Sequence, residues 1–489
     1  MDGPLKKYTL LILKALVGIA SGCYIVFFLY ISLSRLFFPI ALDWVEGPVL
    51  VQVKRVLLGQ PLYVQPGAAY IPLVYQPLYF YLAAAFTRLL GFGLAPLRLL
   101  SILASCGCCL LIFLITHKAT GSGFPGLIVS GMFAATNGIV WAWFDFARVD
   151  MLSIFLALLG LYFLMWTDLR GTLLAGLFFT LSFFTKQSAI IIIFPAFIFY
   201  FLINRKLTLI LVATTGLLTF TGILLLNYAS NGWYYFYIFT LPSLHRSDIS
   251  SGQIIYIVTS MLEPVLLLLG IAIISILTGW RKIIQEKHYY FFFGLAACVL
   301  ALSIVSALGV GATRNAFIPA YALIAIMCGL SLQISQEKIA TLLSGNLRFV
   351  CSMLLIVVCL WQFSLLQYKA RDYIPSERDF KRAYALIKEL KNTEGEFLIS
   401  PQNYLALYVD KKVYYHEAAL GEFTGRYGHS LPEWPSIQKE IKTVIQSGEV
   451  STVYLADFYG SWAGVLCKQE TVLRSQSKFV PTLYKMICR

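Results

Sequence analysis

The chain has 489 residues, of which 59% are hydrophobic and 13% charged, about half the charged share of an ordinary soluble domain. A mean hydropathy of +0.76 and long unbroken apolar runs exclude a soluble enzyme, and also an outer-membrane barrel, whose strands would alternate. The net charge of +14 raises the question of nucleic acid, but cations gathered in cytoplasmic loops account for it, so no nucleic-acid partner is expected.

The first apolar run, 10–38, is too long for a cleavable signal peptide and lacks a convincing small-residue cleavage site, so it reads as a retained span with Lys6 and Lys7 inside. Further apolar segments lie near 73–95, 98–116, 124–143, 150–167, 172–185, 188–203, 207–227, 256–279, 289–308, 316–334 and 347–367. If all of them crossed the bilayer, His117-Lys118, Arg205-Lys206 and Arg281-Lys282 would face outside, against the positive-inside rule. The segment 73–95 is the weakest span, because it holds Pro77 and Arg88 and is rich in Tyr and Phe. It reads as a helix lying on the outer surface. About eleven spans remain. Lys118, Arg170, Arg205-Lys206, Arg281-Lys282-Lys287, Lys338 and Arg348 then face the cytoplasm. The segments 39–97, 144–149, 228–255 and 309–315 face out, and so does the tail from 370.

That tail carries ordinary charge. Strand-like runs (EFLIS, KKVYYH, STVYLADF) alternate with helix-like stretches (ERDFKRAYALIKELKN, PSIQKEIKTVIQSG). The pattern predicts a small extracytoplasmic α/β domain over 370–489, behind a membrane domain over 1–369. Of ten cysteines, eight lie in apolar spans and read as small buried hydrophobes. Cys467 and Cys488 lie in the tail, where a disulfide is open to them. The CGCC cluster, Cys106, Cys108 and Cys109, lies in an apolar run and reads as close helix packing rather than as a metal-ligand set.

Acidic residues are the informative ones, since a carboxylate within the bilayer costs roughly 2.5–3.5 kcal/mol on insertion scales. Asp43 and Glu46 (LDWVEG) follow the first span, and Asp145 and Asp150 (FDFARVDMLS) stand between two later ones. Three apart, Asp43 and Glu46 share a face if helical. They read either as a helix cap and first-turn acid or as a general base. Asp150 likewise reads as a helix-start residue or, with Arg148 and Asp145 beside it, as part of a polar cavity. Lys186 (LSFFTKQSAI) and Arg314 (GATRNAFIPA) read as snorkelling cations or as phosphate partners, Arg314 being capable of bidentate contact. His245 and Arg246 are weaker candidates, as a loop basic pair is usually solvated. Tyr75 and Gln76 lie in the aromatic segment YQPLYFYL.

The order of an external acidic motif, LGQPLY, YQPLYFYL, APLRLLS, RVDMLSIFLALLGLYFL, LSFFTKQSAI and GATRNAFIPAYALIAI resembles the polyprenyl-phosphate-dependent membrane glycosyltransferases of the GT-C class. The likeness is to bacterial relatives of protein O-mannosyltransferases and of the lipid A aminoarabinose transferase, over about residues 10–335. It implies a first-loop acid as base, matching Asp43 or Glu46, with the choice open because the family's adjacent Asp-Glu before Gly is here Val45-Glu46-Gly47, the Asp being displaced to Asp43. It also implies a second-loop acid at Asp150 and a Lys at Lys186. Arg148, Arg314, Gln76 and Tyr75 are then candidate substrate contacts. No cofactor is expected. A divalent cation is not favoured, because Arg148 stands where related oligosaccharyltransferases have the first Asp of a metal-binding pair and Gln76 stands near an acid of the aminoarabinose enzyme. The implied partners are a polyprenyl-phosphate-linked sugar donor, a lipid, glycan or protein acceptor outside the cytoplasm, and membrane lipids, in a bacterial inner membrane. The alternative class is a transporter or flippase of a lipid-linked or anionic substrate, but no repeated halves are visible. A receptor working through its tail would not need charges at the mouths of spans.

Overall fold

The computed structural model describes residues 3–245, 249–309, 314–424, 431–456, 467–473 and 477–488. Seven of its helices are long and apolar enough to cross a membrane: Pro4–Arg35, Leu94–Thr120, Arg205–Ala229, Ser251–Gln285, Lys287–Ala307, Arg314–Leu342 and Gly345–Asp372. The protein is a polytopic helical membrane protein. Their burial orders the bundle. The apolar window of Arg314–Leu342 is 89% buried, whereas those of Pro4–Arg35 and Arg205–Ala229 are 11% buried. The first is the central post and the other two are rim helices. The rim helices present Leu11, Ile19, Leu217, Phe220 and Leu225 outward, which suits hydrocarbon rather than water.

In chain order the first helices are α1 (Gly3–Arg35), α2 (Glu46–Leu57), α3 (Leu78–Leu90), α4 (Leu94–Thr120), α5 (Gly123–Ala135), α6 (Asp150–Leu164), α7 (Leu169–Thr185), α8 (Ile190–Ile203) and α9 (Arg205–Ala229). Each of the eleven expected spans contains a helix, but only seven helices among the described residues are long and apolar enough to cross, so the structure supports a many-span protein and not the count of eleven. Four of the others, α5 to α8, run only 13 to 17 residues, short of the roughly 20 that a perpendicular crossing takes. The segment set aside as interfacial forms α3, a helix of 13 residues. Tyr79, Phe80, Ala83, Ala84 and Thr87 of α3 are buried, while Tyr81, Leu89 and Leu90 stay exposed. The Tyr79 hydroxyl donates to the Leu97 carbonyl at 2.9 Å, tying α3 to the first turn of α4. Such a one-sided apolar helix suits an interface position.

The tail folds as a four-stranded sheet with helices. Helix Glu377–Asn392 starts with a capping box between Ser376 and Asp379. The strands are β1 (Glu396–Ser400), β2 (Val450–Ala456), β3 (Cys467–Leu473) and β4 (Leu483–Cys488). Their order is β1-β2-β4-β3, with β1 parallel to β2 and the other pairs antiparallel. Helix Trp434–Gln446 lies in the β1–β2 crossover and buries Ile437, Ile441 and Ile445, spaced four apart on one face. EFLIS and STVYLA are strands as expected, but KKVYYH is not. Its alternation serves a different contact, since the Tyr415 N–H donates to the Ala68 carbonyl in the first long loop at 2.9 Å. The backbone register of β3 and β4 sets Cys467 opposite Cys488. The question of a disulfide lies outside the described residues, which do not include those side chains.

The tail sits on the 39–75 loop. The Tyr404 hydroxyl accepts from the Ala41 N–H at 2.6 Å, and the Tyr404 ring fills the space that a Cβ on Gly47 would need. The Ala68 N–H donates to Glu440 at 3.0 Å, and Phe38 packs edge-on to Phe380 and Phe479.

Within the tail, His416 is buried, and its Nδ1 accepts the Ala418 N–H at 3.0 Å. Burial depresses its pKa to about 3, against about 6.5 in an unfolded chain. Protonation therefore favours unfolding. The stability that neutral His416 supports is fully present above about pH 6.5 and is lost as pH falls toward about 3. Tail melting followed by circular dichroism should show this acid slope. His416→Asn, which keeps an N-cap acceptor, should flatten it by one proton's worth.

Candidate active site

Two fully buried ion pairs frame the site. Arg98, in the first turns of α4, sends Nε to Glu46 Oε1 at 3.0 Å and Nη2 to Oε2 at 2.7 Å. Its remaining donors reach the carbonyls of Arg35, Phe38 and Ile40 at 3.1, 2.6 and 2.9 Å, wrapping the chain after α1 around one guanidinium. Glu46 also accepts the N–H groups of Leu42 and Ala147, each at 2.7 Å, so it joins the first loop to the second. Burial pushes its carboxyl up, but Arg98 and these two N–H groups outweigh that and hold it below the usual range. Neither Glu46 nor Arg98 is exposed. Both Glu46 oxygens are occupied, so this carboxylate has no face to offer a substrate. In Asp43, by contrast, both hydrogen bonds to the carboxylate among the described residues fall on Oδ2.

The second pair is Arg35 with Asp145, Nη2 to Oδ1 at 2.5 Å and Nε to Oδ2 at 2.7 Å. Arg35 also donates to the Ala142 carbonyl. Ala142 and its neighbour Trp141 take left-handed φ values of 57° and 55°. This turn aims the carbonyl back at α1, a sparsely populated conformation that the buried guanidinium holds in place.

Inside this frame Arg148 bridges the first and second loops. Its Nη1 donates to Asp43 Oδ2 at 2.7 Å, Nε to Asp150 Oδ2 at 3.3 Å, and Nη2 to the Tyr75 hydroxyl at 2.8 Å. Its plane lies 4.4 Å from the Trp143 ring centroid, a cation–π contact. Asp150 opens α6 without capping it. Its Oδ1 accepts from Lys186 Nζ at 2.6 Å and Asn315 Nδ2 at 2.7 Å, and Oδ2 accepts from Trp143 Nε1 at 3.3 Å. Lys186, at the break between α7 and α8, is thus held by Asp150 and keeps 19% of its side chain exposed. Asp43 accepts the Val45 N–H at 3.0 Å on Oδ2, the oxygen already taken by Arg148. Burial raises its pKa; Arg148 opposes the rise but is shared with Asp150 and Tyr75. The Tyr75 hydroxyl is likewise pushed up by burial.

Tyr75, Arg148, Asp150 and Lys186 line a cavity of about 310 Å³; Asp43 is not among its lining residues and is joined to it through Arg148. Tyr75, Arg148, Asp150, Lys186 and Asn315 form its polar end, and Ile154, Ala157, Ile191, Ile192 and Pro319 its apolar wall. The tail contributes Ala418 and Glu422, the latter paired with His245 at 2.6 Å. Arg246 lies outside the described residues. Asp43, Tyr75, Arg148, Asp150 and Lys186 therefore come together. Two sequence candidates do not join them. Gln76 is fully buried, accepting from the Tyr234 hydroxyl at 2.8 Å. Arg314 turns away to the Ile139 carbonyl and the Tyr256 hydroxyl, both at 2.8 Å, and stacks on Trp141. Its neighbour Asn315 takes the place at the cavity. Arg35, Arg98, Asn315 and Glu422 were not singled out in the sequence. For the first two the signal was available, since an Arg inside an apolar run needs a buried partner.

Among the described residues no three His, Cys, Asp or Glu side chains converge as a metal site. Asp43 and Asp150 are bridged by the Arg148 guanidinium.

A family model described as dolichyl-phosphate-mannose-protein mannosyltransferase matches residues 72–233, the stretch from Tyr75 past Lys186. A sequence search of curated proteins found no match. Among solved structures, ArnT from Cupriavidus metallidurans in the apo state superimposes with a TM-score of 0.61 at 12% identity, over 95% of this chain and 98% of that one. The same protein bound to undecaprenyl phosphate gives 0.57 at 12%, over 95% and 97%. An Archaeoglobus fulgidus oligosaccharyltransferase tethered with an acceptor peptide gives 0.55 at 10%, over 98% and 74%. The resemblance read from the motifs thus holds in three dimensions, and the chain has the fold of the GT-C membrane glycosyltransferases.

Proposed function

We propose that the protein transfers a sugar from a polyprenyl-phosphate donor to an acceptor hydroxyl or amine on the extracytoplasmic side of a bacterial inner membrane. The observation that carries this reading is a cavity with a cationic, carboxylate-bearing end and an apolar wall. That shape suits an amphiphile with a phosphate head. The related ArnT fold with bound undecaprenyl phosphate supports the same ligand class.

Asp43 is the base. Its Oδ1 receives no hydrogen bond among the described residues, and its raised pKa suits a proton acceptor. The acceptor proton passes to Asp43, and the acceptor heteroatom bonds to the anomeric carbon. The bond from that carbon to the phosphate oxygen breaks with inversion, and polyprenyl phosphate departs as an anion. Asp43, Asp150, Arg148 and Lys186 together are neutral before the step. Protonation of Asp43 leaves them with one net positive charge beside the departing phosphate, which is where electrostatic stabilisation counts most. Asp150 positions Arg148 and Lys186. The loop cations support the orientation, since Lys118, Arg170 and Arg205 sit at the helix ends remote from Asp150 in the expected topology.

Purified protein in lipid should release polyprenyl phosphate from at least one member of a panel of polyprenyl-phosphate sugars. Protein-dependent flipping of a labelled donor with no release would overturn the reading in favour of a transporter. Lys186→Gln should raise the donor KM by about 10- to 100-fold, the equivalent of one charge-assisted hydrogen bond to phosphate. Lys186→Arg should restore most of the affinity, which a purely structural role would not predict.

A further inference from the structure

The end of the bundle remote from Asp43 carries a second cavity. Lys6, Lys7, Lys14 and Arg348 converge on a groove of about 630 Å³ between the first turns of α1 and the helix Gly345–Leu365, with no Asp or Glu in its lining among the described residues. Lys7, Leu10 and Lys14 fall on one helical face and all line it. Lys6 donates to Asn346, and Lys14 lies over Phe124 at 5.5 Å. Neither Lys7 nor Arg348 has a carboxylate partner among the described residues. The helix Gly345–Leu365 begins at this groove with no side-chain cap on its first turn, so its N–H groups and the positive end of its dipole add to the field.

The position matters as much as the charge. Arg35, at the far end of α1, is bound to Asp145 in the active-site frame. Between Lys14 and Arg35 the helix rises roughly 31 Å at about 1.5 Å per residue, one hydrocarbon core. The groove therefore lies at the opposite bilayer interface. Flanking it, Leu5, Leu11 and Ile12 of α1 and Leu347, Val350 and Leu354 of the last span are exposed. Charge sorting between loops accounts for cations on this side, but not for their convergence on a groove lined by no acid among the described residues, beside an uncapped helix end and between two apolar flanks.

We propose that this groove binds one anionic phospholipid, its phosphate held by Lys7, Lys14 and Arg348 and its acyl chains laid along the exposed leucines. Basic pockets between spans are suited to such headgroups. The full-length protein in detergent, titrated with phosphatidylglycerol or phosphatidylcholine and read by native mass spectrometry, tests it. Wild type should retain one phosphatidylglycerol in clear preference to phosphatidylcholine. The triple variant Lys7→Gln/Lys14→Gln/Arg348→Gln should lose that affinity by on the order of 100-fold. Arg348→Lys, which keeps the charge, should bind nearly as wild type and guards against misfolding of the triple variant. Equal retention of both lipids, or undiminished binding by a folded triple variant, would overturn the proposal. Displacement of phosphatidylglycerol by inorganic phosphate alone would also overturn it, by showing a simple anion site rather than a lipid site.

Discussion

Asp43→Asn should lower the rate of sugar transfer by about 100- to 10,000-fold, the range a positioned general base supplies, while the protein folds and binds donor nearly as before. The variant keeps the shape of the side chain and one oxygen for Arg148. Arg148 also retains Asp150 at 3.3 Å and the Tyr75 hydroxyl at 2.8 Å, so the anion-binding end of the cavity survives. The deficit should therefore appear in kcat rather than in donor KM. The pH profile offers a second reading. Burial raises the Asp43 pKa above the ordinary carboxylate value, and a base must be deprotonated to act. Activity should fall on the acid side through that raised pKa, and the acid limb should vanish from the residual activity of Asp43→Asn. Full transfer by a folded Asp43→Asn enzyme would remove Asp43 from the mechanism.

Glu46→Gln should fail for a different reason. The Arg98–Glu46 pair is fully buried, and removing one partner of such a pair costs roughly 3–5 kcal/mol because a charge is left without its counterpart. Thermal unfolding in detergent should show a large loss of stability, with activity lost in proportion to folded protein. Arg98→Met/Glu46→Leu should recover only part of the loss. It removes both charges but strands the carbonyls of Arg35, Phe38 and Ile40, which Arg98 satisfies. A stable Glu46→Gln protein with abolished transfer would instead make Glu46 the catalytic base. The two variants thus separate carboxylates that lie three residues apart.

That separation marks how far the sequence could be read. Apolar run lengths and loop charges were enough for a many-span membrane protein, for a helix within 73–95 and for the gathering of Asp43, Glu46, Asp145 and Asp150 at one end of the bundle, because transfer to hydrocarbon acts residue by residue along the chain. The tail strands β3 and β4 were less legible. β3 is a polar edge strand (CKQETVL), and edges carry charge rather than an apolar alternation.

Within the site, motif order singled out Asp150 and Lys186, which the structure joins at 2.6 Å. It did not divide the labour among the acids. Glu46 and Asp145 became struts because Arg98 and Arg35, distant in sequence, reach them inside the bundle. Asp43 Oδ1 has no hydrogen bond among the described residues, because Arg148 and the Val45 N–H both take Oδ2. Arg314 and Asn315 are neighbours, yet only Asn315 faces the cavity. Which polar groups gather at one end of the helix bundle is a matter of solvation, and the sequence by itself determined it. Which of them are consumed by buried partners and which remain for a substrate is a matter of contacts between distant segments, and only the tertiary structure decided it.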